Sequence, residues 1–132
     1  MGSLKAMLEA LAPRVLSILR VVVALLFLQS ALVKLFNFPV APDFEMTPLY
    51  YAAGVLELIG SPLLLVGLFT RIVAFLLSGE MAIAYFKDHA PISFYPYVND
   101  GSLAVLYCFV FLYLVVAGGG PWSIDRLWRG RD

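Results

Sequence analysis

The stretch that decides the fold is GVLELIGSPLLLVGLFTRIVAFLLSGEMAIAYFKDHAP, residues 54–91. It consists of two apolar segments joined by a tight turn, and each segment contains one carboxylate, Glu57 or Glu80. A carboxylate at the centre of a membrane helix costs roughly 2.5–3.5 kcal/mol, so it normally faces a partner or a water-filled cavity. The two glutamates therefore indicate the interior of a helical bundle in a membrane.

The composition supports lipid as the solvent for much of the surface. Of the 132 residues, 62% are hydrophobic and 14% are charged, and the mean hydropathy is +0.92. Soluble domains are about half apolar and a quarter charged, and a chain this short cannot hide the excess inside itself. The formal net charge is zero, which argues against nucleic acid as a partner because that would require a basic face.

The sequence offers little for a self-contained metal or dithiol enzyme. It has one cysteine, Cys108, and one histidine, His89, and it lacks a phosphate loop and an HExxH motif. A mid-span cysteine is usually a small buried hydrophobe. His89 follows Asp88 at the end of an apolar segment, where it is either a solvated cap or a proton-handling group.

Four apolar runs approach or reach the length that crosses a ~30 Å hydrocarbon core as a helix. They predict an all-α single domain over 1–132, a four-transmembrane-helix bundle with spans at about 15–36, 49–69, 72–88 and 101–117. The first run is too long for a signal peptide and has no convincing cleavage site, so we expect it to be retained. After the last span, GGGPWSIDRLWRGRD (118–132) predicts a short interfacial helix capped by Ser123 and anchored by Trp122 and Trp128.

Basic residues indicate the orientation of the spans. The side that holds both termini and the 69–72 turn contains Lys5, Arg14, Arg71, Arg126, Arg129 and Arg131. Both termini are therefore expected in the cytoplasm. The opposite connection HAPISFYPYVNDG (89–101) is rich in aromatic residues and is expected to form a lid at the headgroup level.

Helical geometry places the buried charges. Arg20 and Lys34 fall on one stripe of the first span, with Ser30 one turn before Lys34. Depth favours two ion pairs, Lys34 with Glu57 and Arg20 with Glu80. Such pairs either fix helix register, or line a polar cavity for a quinone head group, a proton or a small polar ligand, or meet another subunit.

Residues 54–91, followed by NDGSLAVLYCFVFLYLVVAGGGPWSID (99–125), resemble the DoxX family of small bacterial membrane proteins. The resemblance runs from about Val33 to Asp125. It implies a four-helix protein of the bacterial inner membrane, with relatives linked to quinone-coupled thiosulfate oxidation and to oxidative-stress complexes.

The polar positions that match the family are Lys34, Glu57, Arg71, Glu80 and His89. Two positions depart from it. The family often has a His-Gly-x-x-Lys-Leu pattern where this chain has Ser30, and a glutamate in NGGE where this chain has Ser102. Because this chain lacks that histidine and that glutamate, the sequence argues against proton-coupled chemistry near the outer surface that would use them. The predicted ligand-binding residues are Lys34, Glu57, Ser30, Glu80, Arg20 and His89.

Three functions follow from these patterns. The first is a redox accessory subunit that binds a membrane quinone and acts with a partner enzyme in a redox or stress-response complex. The second is a non-enzymatic scaffold or assembly protein, in which the ion pairs are structural. The third is a small-solute carrier or channel, which would need a homo-oligomer because four short helices enclose little volume. All three place membrane lipid around the bundle, and none requires the chain to be catalytic alone.

Overall fold

The structure, a computed structural model, describes residues 2–129 apart from the side chain of Arg129. Within that range the chain is helical and contains no strand. The elements are α1 (Gly2–Phe36), α2 (Pro48–Val66), α3 (Thr70–Ala84), a π-helical turn (Tyr85–His89), α4 (Pro96–Asn99), α5 (Ser102–Ala117) and α6 (Ile124–Arg129).

The four longer helices, α1, α2, α3 and α5, overlap the four predicted runs, but α1 begins earlier than its run. It begins at Gly2 rather than near residue 15, and it continues through Pro13. The added turns have apolar side chains at helical spacing, Leu4, Met7, Leu8 and Leu11, which is the pattern of an amphipathic helix. At 1.5 Å per residue, α1 is roughly 50 Å long and therefore exceeds a hydrocarbon core.

A short turn joins α2 and α3 into an antiparallel hairpin. Thr47 caps the start of α2 by accepting a hydrogen bond from the Tyr50 N–H, and Gly67 ends the helix with a φ of 75°. A Cβ atom at Gly67 would lie 2.4 Å from the Cβ of Ser123. Glycine is therefore required here both for the left-handed backbone and for the close approach of the C-terminal segment.

The core lies where the helix pairs meet. α1 packs along α2, and α3 packs along α5. Phe27, Leu64, Leu77, Phe111 and Leu114 are at most 1% exposed. Phe27 contacts Phe111 edge to face, with ring centroids 5.0 Å apart, which is a favourable aromatic geometry.

Small residues on the face of α2 that contains Glu57 allow the helices to approach closely. A Cβ at Gly54 would lie 3.0 Å from Leu35 of α1, and one at Gly60 would lie 3.3 Å from Leu77 of α3. Ser61 is 1% exposed on the same face. Small residues of this kind are typical of helix interfaces in membranes.

The outward faces of the helices are apolar. Ile72, Phe75, Ile83 and Val116 are each more than 60% exposed, and such a surface fits contact with lipid. By length and composition, α1 and α2 are the described helices that could each cross a membrane, and α5 is a shorter apolar helix.

A buried arginine ties the segment after α5 to α1. Arg20 is 1% exposed, and its guanidinium donates hydrogen bonds to the carbonyl oxygens of Gly119, of Leu65 at 3.3 Å and of Trp122 at 2.9 Å. Ser17 adds two bonds, donating to the Gly119 carbonyl and accepting from the Trp122 N–H, both at 3.1 Å. We refer to Ser17, Arg20, Gly119, Ser123 and Asp125 as the Arg20 cluster.

Asp125 connects this segment to the hairpin turn. Its carboxylate accepts hydrogen bonds from the backbone N–H groups of Phe69 and Thr70, both at 2.8 Å. Its own N–H donates to the Gly67 carbonyl at 2.9 Å. Asp125 therefore caps α3 from a distant part of the chain, where a negative charge also favours the helix dipole.

The predicted cap of the C-terminal helix is confirmed. The hydroxyl of Ser123 accepts a hydrogen bond from the Arg126 N–H at 3.2 Å and donates one to the Gly120 carbonyl at 2.8 Å. The two predicted anchors, Trp122 and Trp128, are 58% and 66% exposed. Residues 130–132, including the predicted basic residue Arg131, and the side chain of Arg129 lie outside the described part.

Asp125→Ala should lower the stability of the fold by about 1–2 kcal/mol, because two N–H groups at the start of α3 lose their acceptor. Thermal denaturation in detergent micelles would measure this. Asp43→Ala is the matched control, since Asp43 is exposed and its replacement should leave the midpoint unchanged. An Asp125→Ala protein as stable as the wild type would contradict the capping role.

Candidate functional site

A buried ion pair joins α1 to α2. Nζ of Lys34 lies 3.0 Å from both carboxylate oxygens of Glu57, whose side chain is fully buried while that of Lys34 is 13% exposed. Lys34 also donates to the hydroxyl of Ser30 at 2.8 Å. The predicted Lys34–Glu57 pair and the predicted proximity of Ser30 are both confirmed.

Glu80 joins this pair and does not meet Arg20. Its carboxyl group lies close enough to Glu57 and Lys34 for the charges of both to act on it. Arg20 instead bonds backbone carbonyls at the end of the bundle where the hairpin turns. The predicted Arg20–Glu80 pair is therefore wrong. We refer to Ser30, Lys34, Glu57 and Glu80 as the Lys34 cluster.

The hairpin explains why the Arg20–Glu80 pair was wrongly predicted from membrane depth. Glu57 lies eleven residues before Leu68, at the centre of the turn, and Glu80 lies twelve residues after it. Antiparallel helices place residues at equal distances from their turn at the same level, because both rise 1.5 Å per residue. Counting residues outward from the turn predicts from sequence alone that the two carboxylates lie at the same level.

The same count along the hairpin brings together Tyr50 and Asp88, a contact that was not predicted. Tyr50 lies eighteen residues before Leu68 and Asp88 lies twenty residues after it. The Tyr50 hydroxyl donates to Oδ1 of Asp88 at 2.8 Å. Lys87 reaches the same oxygen at 3.1 Å, and its Nζ lies 5.2 Å from the centre of the Tyr50 ring.

A cavity of about 1010 Å³ opens beside the Lys34 cluster. It lies between the α1–α2 pair and the α3–α5 pair, and apolar or aromatic side chains such as Leu26, Leu56, Met81 and Tyr107 form much of its wall. Its polar lining consists of Gln29, Ser30, Lys34, Tyr50, Glu80, Lys87, Asp88, His89 and Asp100. An apolar cleft with a few polar groups is the usual form of a small-molecule site, and this one is at the upper end of the usual 300–1,000 Å³ range.

His89 lies at the rim of this cavity, held by the following loop. Its Nδ1 is 2.9 Å from the Asn99 carbonyl, and because a carbonyl can only accept, Nδ1 is the protonated nitrogen. Asn99 is 2% exposed and fixes the loop by donating to the Ser93 carbonyl at 2.8 Å and accepting from the Gly101 N–H at 2.8 Å. No sequence pattern singled out Asn99, whose side chain substitutes for backbone partners in the connection between α3 and α5.

The predicted lid exposes its aromatic side chains. Phe94, which precedes the short helix α4, is 84% exposed, and Tyr97, which lies within α4, is 92% exposed. Aromatic residues exposed in this way are enriched at membrane–water interfaces. The geometry therefore agrees with a loop at headgroup level, and that location stays a prediction.

The remaining reactive groups form no metal site. Within residues 2–128, no group of three or more His, Cys, Asp or Glu side chains is arranged to hold a metal ion. The half-buried Cys108 packs near Ser78, whose hydroxyl donates to the Cys108 carbonyl at 2.8 Å. The cavity has the shape and lining to bind an amphipathic molecule, and the carboxyl group of Glu80 faces it.

Comparison with known proteins identifies the family. A family model described as DoxX matches residues 15–90, which is more than half of the chain. The chain belongs to the DoxX family. The matched range includes the whole Lys34 cluster and Arg20, and together with the exposed apolar helices it identifies a membrane protein.

A relative supports the assignment over nearly the full length. An uncharacterised protein of Haemophilus influenzae is 43% identical over 130 residues, an alignment that covers 90% of this DoxX protein and 94% of the relative. No solved structure matches the chain significantly.

Lys34→Met should destabilise the protein by about 3–5 kcal/mol, because the buried Glu57 loses its counter-ion and must take up a proton to become neutral. The double variant Lys34→Met, Glu57→Leu should recover much of that loss, since no uncompensated charge remains in the pair. Thermal denaturation in detergent would measure both. Lys5→Met is the matched control, because the Lys5–Glu9 pair spans 3.9 Å and is largely exposed; it should be nearly neutral. A double variant no more stable than the single one would contradict the ion-pair account.

Proposed function

We propose that this DoxX protein is an inner-membrane subunit that binds a membrane quinone in the cavity beside the Lys34 cluster and acts as a redox accessory to a partner enzyme. The cavity supports the proposal most directly. Its volume suits a ring with part of an isoprenoid tail, and its largely apolar wall suits both. The family resemblance points to the same class of ligand.

The polar groups of the cavity offer hydrogen bonds to a quinone head group. Lys34 already makes three hydrogen bonds, to Ser30 and to both oxygens of Glu57. The Ser30 hydroxyl accepts from Lys34 and keeps its own proton for donation, and Gln29 contributes an amide to the same wall. A quinone carbonyl oxygen placed against these two residues would have donors on one side and apolar contacts elsewhere.

Electrons would come from the partner enzyme. The sequence contains one cysteine and one histidine, which is too few to ligate an iron–sulfur cluster. In a redox accessory of this kind the chain binds and orients the quinone, and the partner contributes the redox cofactor. The exposed apolar and aromatic faces provide surface for lipid and for such a partner.

The proposed topology has four crossings with both termini in the cytoplasm. The helix α3 continues into the π-helical turn, so residues 70–89 form a continuous helical segment of twenty residues, about the length of a membrane span. Arg71 and Arg126 lie at the end of the bundle where α2 turns into α3, and Asp43, Glu45 and Asp100 lie at the opposite end. This distribution follows the positive-inside rule.

Fusions of a periplasm-active reporter and of a cytoplasm-active reporter test this topology. We expect only the cytoplasmic reporter to be active after residue 132, and only the periplasmic reporter to be active when inserted after Pro42. When the reporters are inserted after Leu68, only the cytoplasmic reporter should be active. A periplasmic signal at Leu68 or at the C-terminus would exclude the four-crossing arrangement.

Mass spectrometry of organic extracts from gently purified protein tests the quinone directly. Ala53 lines the cavity, so Ala53→Phe should fill it and abolish both co-purification and uptake of a short-chain ubiquinone analogue. Val55 lies two residues away on α2 and is 47% exposed; Val55→Phe adds similar bulk outside the cavity and should retain the quinone. Wild-type protein that neither contains nor takes up quinone would refute the proposal.

A scaffold function is the second candidate, and the closed Lys34–Glu57 pair favours it. All three ammonium donors of Lys34 have partners within the protein, as expected of a device that only fixes helix register. In that case the double variant Lys34→Met, Glu57→Gln should keep both expression and partner capture.

A further inference from the structure

The Lys34 cluster contains two carboxyl groups and one cation. Lys34 directs its ammonium to both oxygens of Glu57, at 3.0 Å each, so that pair is neutral. Glu80 forms no salt bridge among the described residues. The cluster therefore has one carboxyl group more than it can neutralise.

The other charged and titratable groups around the cavity do not neutralise Glu80. Those that face it from the neighbouring elements are Tyr50, Lys87, Asp88, His89, Asp100 and Tyr107. Lys87 is bonded to Asp88 at the rim and its side chain is 48% exposed, while the protonated Nδ1 of His89 is directed to the Asn99 carbonyl. The charges that act on Glu80 are those of Glu57 and Lys34.

A direct hydrogen bond between the two carboxyl groups would require a proton. Carboxylate oxygens only accept hydrogen bonds, and a carboxyl group can donate one only when it is protonated. The Glu80 carboxyl lies at the level of Glu57 on the other helix of the hairpin, close enough for the two groups to act on each other. Its Oε1 is buried and has no donor among the described residues. Two carboxyl groups that share a site of low polarity do not both ionise.

We propose that Glu57 and Glu80 hold one proton between them, so that the Lys34 cluster is a proton-binding site that exchanges through the adjacent cavity. The number of bound protons then equals the number of carboxyl groups minus the number of cations, which is one in the wild type. A ligand oxygen in the cavity would lie beside this proton. The proposal rests on the quinone role only for the identity of the molecule that gives or takes the proton.

Infrared spectroscopy of the ligand-free protein in lipid nanodiscs at neutral pH tests this count. A protonated carboxyl group gives a C=O band that shifts on exchange into D₂O, and we expect the intensity of one such group in the wild type. Glu80→Gln should remove the band, because Glu57 stays paired with Lys34. Glu57→Gln should also remove it, because Lys34 is then free to neutralise Glu80.

Two further variants sharpen the test. Lys34→Met removes the cation and should raise the intensity to that of two protonated groups. Glu9→Gln is the matched control, since Glu9 is exposed and distant from the cluster, and its spectrum should equal that of the wild type. A wild-type protein without the band, or a band that persists in both Glu57→Gln and Glu80→Gln, would overturn the proposal, and the wild-type spectrum decides even if a variant fails to fold.

A final addition separates this proposal from the quinone role. A short-chain ubiquinone analogue is added to the wild-type sample after the ligand-free spectrum. A shift of the carboxyl band would support both the proton site and a head group beside it. A band that is present but insensitive to saturating quinone would uphold the proton site and count against the quinone role.

Discussion

The ion pair between Lys34 and Glu57 is the constraint on which the rest of the bundle depends. Removing two charges from water costs several kcal/mol per ion, and their attraction repays this only with close geometry and satisfied hydrogen bonds. Here the ammonium contacts both carboxylate oxygens and the Ser30 hydroxyl. Because this geometry needs α1 against α2, Gly54 must be small where Leu35 approaches it. The pair thus fixes the register of the first two helices, and the hairpin then fixes Glu80.

The cavity follows from an uneven distribution of contacts. The two helix pairs meet along Phe27, Phe111 and Leu77 in the middle of the molecule, and at one end the Arg20 cluster ties them together. At the other end, Lys34 and Glu57 lie near Glu80, and Tyr50 bonds Asp88. A cavity nevertheless remains between the two helix pairs. The proposed quinone and proton site therefore lies where the packing is least complete.

The sequence predicted the helices well and the long-range polar contacts only in part. Four apolar runs, the Ser123 cap and the Lys34–Glu57 pair could be predicted because each depends on local pattern, or on two residues whose helices are consecutive. The Arg20–Glu80 prediction was wrong because both levels were counted from estimated membrane surfaces instead of from the shared turn. Arg20 in fact bonds backbone carbonyls at residues 65, 119 and 122. Every residue has a backbone carbonyl, so the sequence does not indicate which one accepts a hydrogen bond. The capping of α3 by Asp125 could not be predicted either, since the N–H groups that it accepts from lie 55 and 56 residues away in the sequence.

The Arg20 cluster also bears on the order in which the protein is made. Arg20 leaves the ribosome about a hundred residues before the Gly119 and Trp122 carbonyls that receive its hydrogen bonds. Until the segment that contains these two residues has been made, the guanidinium of Arg20 lacks two of the carbonyl groups that it contacts in the folded protein. Only when the segment after the last long helix emerges can that charge be enclosed. Enclosure of Arg20 is thus a late step of folding, because it depends on residues 119–122.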